Sequence, residues 1–343
     1  MFSMTVRANV VIPVLVPTLT QQPITLVNAK ALSSLVTVAG PALGPKLEVV
    51  LSSLEKSKQT ETDEEVKEQL ESTINALFAS ISDLSGLNSI LMLLLSMTKE
   101  KSSARKISGC QLFASFCRTA QIDHTDYDVG WLRQLVSMQV ETEEGVAEAA
   151  YSALDSLVKT ISKEEMEGLS VPLRRTIEGL GEPGVYVHGF TRPAGLKPLL
   201  RALDYPSRVN VLNCASAIFH QGLTAGTAEQ REQSAYGFGE LVVRTPPENI
   251  KPYVPQIAGP LIRIVSERVP APVKSAILST LTTLLLNIPL QVRPFFPQIQ
   301  RTFVKNLADS ASQSVRSRSA AGLGALMVHQ PRGMPLSRFM SGG

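Results

Sequence analysis

Aromatic side chains are scarce in this sequence: they make up 5 % of it, with a single Trp. A sandwich anchored on large rings is therefore disfavoured, and cores of Leu, Val, Ala and Ile suit layered helices better. Cysteine is scarce too. Cys110, Cys117 and Cys214 form neither a disulfide framework nor a zinc-ligand spacing, which points to a reducing compartment. The formal net charge of +3 is too small for nucleic-acid binding by bulk electrostatics. Long apolar runs are missing. The most apolar stretch, "INALFASISDLSGLNSILMLLLSM", is interrupted by Ser, Asp and Gly before it reaches membrane-spanning length. The start, "MFSMTVRANVVIPVLV", lacks the charged, apolar and small-residue zones of a signal peptide, so a soluble intracellular protein is expected. Period-two strand patterns bounded by hairpin turns are essentially absent.

The sequence does contain a repeat. "RPFFPQIQRTFVKNLADSASQSVRSRSAAGLGALM" aligns with "KPYVPQIAGPLIRIVSERVPAPVKSAILSTLTTLL", the shared "PQI" beginning at Pro255 and Pro297, and Lys274 matching Arg316. The spacing of about 42 residues is the period of HEAT and armadillo units. Weaker copies share the same grammar of apolar helix, polar turn and second helix, as in "GLNSILMLLLSMTKEKSSARKISGCQLFASFC" and "VGWLRQLVSMQVETEEGVAEAAYSALDSLVKTI". One such hairpin cannot bury its apolar face, whereas stacked hairpins share a continuous core. Prolines at helix starts fit, because first-turn N–H groups have no intrahelical partner. The fold class expected is all-α, a HEAT/armadillo-type α-solenoid of stacked antiparallel helix pairs. One array is expected over 1–332, with 333–343 a disordered non-repeat tail. In the last unit Val315, Ala320, Leu323 and Leu326 are expected to face one way. Asp309 in the turn and Arg316 at the start of the second helix are expected to pair between adjacent repeats. Arg318, two positions on, must face elsewhere.

Motifs that suggest catalysis lack the context their chemistry needs. "GLGEPG" at 179–184 matches G-x-G-x-x-G, but a dinucleotide site needs a strand before it and a helix after it. Here "LRRTIE" precedes it with helical spacing and Pro183 interrupts any helix beyond it, so a loop between repeats is expected. "DHTDYD" at 123–128 collects carboxylates around His124 without ligands from another element, and reads as a solvated loop capping the next helix. His188, His220 and His329 stand apart from any nucleophile. Ser103 and Lys106 form a chance-level S-x-x-K, and Cys110 and Cys117 share one apolar helix face as core residues. No cofactor, metal or catalytic residue is expected. The charge run "EKSKQTETDEEVKEQLE" holds a turn and a helix start at which Asp63 and Glu64 suit the macrodipole.

Several stretches closely resemble one family. "RANVVIPVLVPTLT" with "NAKALSSLVTVAG", "GFTRPAGLKPLL", "GTAEQRE", "AGPLIRIVSERVPAPVKSAIL" and "RPFFPQIQRTFVKNLADS" match, in order, the C-terminal part of the general-control translational activators. That resemblance implies a ribosome-associated, cytoplasmic HEAT scaffold. It also implies binding to the N-terminal RWD domain of the kinase that phosphorylates the alpha subunit of initiation factor two, and activation of that kinase under amino-acid starvation. Ribosome contacts would lie mainly in family regions upstream of this part. Two departures stand out: "RALDYPSRVNVLNCASAI" at 201–218 interrupts the family pattern, and "GMPLSRFMSGG" ends the chain. Both look like translated non-coding sequence. The insert matches no repeat phase and is expected to pack poorly.

Helical geometry picks the contact residues. In "QIAGPLIRIVSER", Ile257, Leu261, Ile264 and Val265 make the core stripe, and Arg263 falls opposite, beside Gly259 and Ser266. A long cation among small residues offers a planar fork to a carboxylate; Glu267 could instead hold it in a surface pair. The resemblance places this helix in the kinase-binding part, so Arg263 is the leading partner-binding candidate. Arg268 is expected to cap the last carbonyls of that helix. Arg293, Arg301 and Arg318 are further candidates, while Phe295 and Phe296 read as core between repeats. The alternatives are a generic HEAT adaptor unrelated to the kinase, and ribosome or RNA binding by Arg174, Arg175, Arg316 and Arg318.

Overall fold

The computed structural model describes residues 2–141, 143, 145–179 and 209–329, and every regular element among them is a helix. The chain divides into two compact units, Met1–Ile161 and Ser162–Gly343.

The first unit contains four helix pairs: α1 (Phe2–Leu19) with α2 (Leu26–Ala39), α3 (Leu47–Thr60) with α4 (Glu64–Ala79), α5 (Leu84–Thr98) with α6 (Ser103–Thr119), and α7 (Thr125–Ser137) with α8 (Val146–Thr160). Short polar side chains start them. Thr25, Asp63, Asp83 and Ser102 accept the N–H groups of Asn28, Glu65, Gly86 and Arg105, satisfying donors that the first turn leaves open. The acidic start read at Asp63 and Glu64 is thus a capped N-terminus. Second helices pack on second helices, α2 on α4 and α6 on α8, while α3, α5 and α7 form the other layer. The few aromatics gather where pairs meet. Phe113 stacks on Trp131 with centroids 3.6 Å apart, and Phe78 meets Phe116 edge-on at 5.7 Å.

The second unit opens with α9 (Lys163–Gly179) and continues with three pairs: α10 (Val209–Thr224) with α11 (Ala228–Arg244), α12 (Val254–Ile264) with α13 (Ala271–Asn287), and α14 (Phe296–Leu307) with α15 (Gln313–His329). Proline-led turns at Pro247–Ile250 and Pro289–Val292 feed α12 and α14. Within "GTAEQRE", Thr227 and Gln230 close a capping box at the start of α11. The second helices α11, α13 and α15 form one layer. Hydroxyls tie neighbouring second helices together in both units: Thr73 Oγ1 donates to the Ala29 carbonyl at 3.2 Å, and Thr280 Oγ1 to the Ala235 carbonyl at 2.7 Å.

Two glycines set the spacing inside pairs. A Cβ on Gly237 would lie 2.4 Å from the Phe219 ring, and one on Gly322 would lie 2.3 Å from the Phe303 ring. Phe219 of α10 and Phe303 of α14 are two periods of about 42 residues apart. This register corrects the expectation of poor packing for the 209–218 part of the segment 201–218. Residues 209–218 are the first ten of α10, where Leu212, Cys214, Ala215 and Ile218 are buried. They occupy the first-helix position of a repeat, with apolar residues supplied at helical spacing. Residues 201–208, like the tail at 333–343, lie outside the described residues.

A second correction concerns α15. Its buried stripe is Val315, Ser319, Gly322 and Leu326, with Ala325 beside it; Ala320 is exposed and Leu323 half-buried. The Phe303 ring needs a residue without a side chain opposite it, so Gly322 turns inward and rotates the helix away from the phase that aliphatic positions alone suggest.

Candidate protein-interaction surface

The core stripe of α12 is as its sequence implies: Ile257, Leu261, Ile264 and Val265 are each at most 2 % exposed. Arg263 is exposed at the last turn of the helix, and no described carboxylate forms an ion pair with it. Its charge is felt by His220 on the preceding first helix, whose imidazole pKa is lowered below 6.5 by partial burial and then by Arg263. Arg268 is exposed beyond the helix end and does not cap it. The backbone N–H groups of Val265, Ser266 and Glu267 already bond to the carbonyls of Leu261, Arg263 and Ile264. Arg293 is exposed in the turn before α14, and Arg301 on α14 itself. Phe296 is buried and Phe295 half-buried, as inter-repeat packing requires.

Arg318 separates from this group. It is half-buried on α15, in the second-helix layer, where its charge acts on Tyr236 of α11. Sequence reasoning missed Lys305, which is exposed on α14 one repeat period after Arg263. The 42-residue period was the signal that could have found it. Among the described residues the first-helix layer of this unit and its connecting turns thus carry six exposed cations from Lys251 to Lys305, with Glu267 and Glu248 exposed among them.

The arginines weighed for RNA binding are largely engaged. Arg174 lies over the Tyr236 ring at 5.3 Å, donates to Gln233 Oε1 at 2.6 Å and pairs with Glu178 at 3.4 Å. Arg175 pairs with Glu229 at 4.0 Å, and Arg316 donates to the Asp309 main-chain carbonyl at 2.8 Å. The Asp309 carboxylate turns instead to Lys274 of the preceding repeat, at 3.0 Å. The ladder expected between Asp309 and Arg316 therefore runs one residue pair earlier, Lys274 to Asp309. Arg316 is as far into α15 as Lys274 is into α13, so its tip closes the turn of its own repeat.

Among the described residues, the groups of 103–128 weighed for catalysis or metal binding are buried or engaged by neighbouring side chains. Ser103 donates to Glu143 Oε2 at 2.5 Å, and Lys106 to Glu141 Oε2 at 2.5 Å. The lysine pKa is raised above 10.5, first by that hydrogen bond, so this ammonium is no base for Ser103. Cys110 and Cys117 are buried, with thiols pushed up to about 12 by desolvation, which removes the reactive thiolate. His124 Nδ1 lies 2.7 Å from Asp128 Oδ1, and Asp123 caps the Thr125 N–H. No three His, Cys, Asp or Glu side chains converge as metal ligands among the described residues. Of "GLGEPG" only Gly179 is described, as the last residue of α9; the rest lies outside.

A sequence model of one family, "Stalled ribosome sensor GCN1-like, HEAT repeats", matches residues 11–194, more than half of the chain. The chain belongs to the GCN1-like HEAT-repeat family. It is 34 % identical over 334 residues to the eIF-2-alpha kinase activator GCN1 of Saccharomyces cerevisiae, a match covering 97 % of this chain and 12 % of that protein. It is 32 % identical to protein ILITYHIA of Arabidopsis thaliana, across 96 % of this chain and 12 % of that one. It is 30 % identical to the stalled ribosome sensor GCN1 of Homo sapiens, across 94 % and 12 %. The chain therefore spans about an eighth of the length of these relatives.

Proposed function

We propose that this chain is a non-enzymatic protein-interaction scaffold that binds the RWD domain of the initiation-factor-two-alpha kinase. On this reading it promotes kinase activation on ribosomes in the cytoplasm under amino-acid starvation. Relatives named as activators of that kinase and as stalled-ribosome sensors support the setting. The observation that carries the docking role is Arg263, an exposed guanidinium outside the core stripe with no described ion-pair partner. Its planar fork presents paired donors to a carboxylate on a partner without disturbing the array beneath it. Arg301, Arg293, Arg268 and Lys305 extend the same cationic layer, and Arg318 serves the opposite layer. Direct titration of the isolated RWD domain against the chain and its R263A variant tests the reading. Equal affinity for the two would remove Arg263 from the interface, and no binding to either would overturn the proposal.

A further inference from the structure

The first helices α10, α12 and α14 share one register. Phe219, Leu261 and Phe303 are all fully buried and stand one period of about 42 residues apart. Each further residue turns about 100° round its helix. His220, one residue past the buried position on α10, therefore points sideways and is exposed. Arg263, two residues past it on α12, points away from the core. The two helices pack on each other, and near their starts Tyr253 Oη donates to Asn213 Oδ1 at 2.8 Å. His220 and Arg263 thus stand together at the other end, on the rim between neighbouring helices.

These two side chains oppose each other in the free chain. Partial burial, and then the Arg263 charge, hold the imidazole below its ordinary pKa of 6.5. Among the described residues neither side chain has a hydrogen bond or an ion pair. Charges on the other helices packed against α10 are held elsewhere. Glu167 of α9 accepts from Gln221 Nε2 at 3.0 Å, and Arg231 of α11 donates to the Gly226 and Thr224 carbonyls. Arg174 pairs with Glu178 inside α9, and Arg244 with Glu240 inside α11. A carboxylate seated on the Arg263 fork reverses the field at His220, since an opposite charge close by favours the protonated ring. The imidazolium then adds a charge-assisted hydrogen bond of its own. A neutral amide or hydroxyl in that place leaves the repulsion as it was.

Resting on the docking role assigned to Arg263 above, we propose that His220 and Arg263 together hold one carboxylate of the docked RWD domain, so that docking takes up a proton. Binding is therefore stronger at lower pH, because the complex holds a proton that the free chain has released. Each unit by which docking raises the imidazole pKa gives about tenfold in affinity between the two limits.

The test is titration of the isolated RWD domain against the full chain from pH 8 down to pH 5.5, a range in which carboxylates stay ionised. Affinity should rise by about threefold or more over this range. His220→Gln, at an exposed position, should lose the rise, and His220→Lys should flatten it by carrying the charge at every pH. Followed by NMR, the His220 titration of the native chain should move up when the RWD domain is added. A rise that persists in His220→Gln, no rise at all, or an imidazole midpoint unmoved by the RWD domain overturns this proposal alone, since Arg263→Ala at pH 8 tests the docking role separately. Equal affinity in Arg263→Ala, or no binding at any pH, overturns both.

Discussion

Lys274 of one repeat holds Asp309 of the next, Nζ to Oδ2 at 3.0 Å, across 35 residues of sequence. Lys106 and Glu141 repeat the arrangement in the other unit at the same separation. In both cases the lysine is the fourth residue of a second helix, and the acid lies in the turn between the helices of the next pair. Asp309 does more than accept this ammonium: its Oδ1 takes the N–H groups of Ala311 and Ser312, shaping the turn that starts α15. Together these interactions hold its carboxyl below 3.8, with Lys274 the largest cause. Lys274→Ala should lower the melting temperature modestly, because the pair is near the surface and screened. Asp309→Ala should lower it further, since it removes the turn bonds as well as the ion pair. Thermal unfolding of the two variants and the double variant gives the order, and a larger loss for Lys274→Ala contradicts it.

The glycine seats of the phenylalanines should be intolerant of a methyl group. Gly322→Ala places a Cβ into the Phe303 ring, and overpacking of this kind costs about 1–3 kcal/mol. Phe303→Leu in the same chain should return part of the loss by making room. Denaturant unfolding of the single and double variants measures this; a neutral Gly322→Ala would show that the ring moves aside freely.

Residues 209–218 should be required for the second unit. Ile218 is fully buried, and Ile218→Ala in a packed core costs about 2–5 kcal/mol. Deleting 209–218 should abolish cooperative unfolding of this unit. A deletion that keeps or raises the melting temperature would mean that α10 does not support the array.

His124 and Asp128 give the first unit a pH-dependent clasp. The hydrogen bond to Asp128 raises the imidazole pKa above 6.5. A raised pKa contributes stability that is fully present below 6.5 and is lost as pH rises through the folded value. The His124 titration measured by NMR should have its midpoint above 6.5 and fall in Asp128→Asn. The melting-temperature gap between the native chain and that variant should narrow from pH 6 to pH 9. A gap that widens over this range has the wrong sign for this clasp.

Arg263→Ala should leave stability within about 0.5 kcal/mol, as for other surface sites. Affinity for the RWD domain should fall by about 2 kcal/mol or more, the loss expected of an arginine anchor. Arg263→Lys should recover only part of it, because a point charge cannot reproduce the two-pronged fork. Unfolding of the alanine variant would place Arg263 in the core instead.

Helical class, the 42-residue period and the stripe of Ile257, Leu261, Ile264 and Val265 were all determined by the sequence alone. Each depends on spacing along one chain segment, and spacing of 3.6 residues per turn fixes which side chains share a face. The burial of Cys110 and Cys117 and the exposure of Arg263 have the same origin. The groups that lie across from a face were decided only in three dimensions. Asp309 turns to Lys274 rather than to the nearer Arg316, because stacking brings the preceding repeat's lysine to its carboxylate and leaves Arg316 the main-chain carbonyl. Residues 209–218 look foreign beside the family pattern, yet they pack, because a first helix needs only apolar groups at the right phase and a glycine seat for Phe219. Arg318 and Arg263 look equivalent as surface arginines and fall in different layers. A repeat period encodes the phase of each helix, and the separation between neighbouring helices is set by the side chains of both at once.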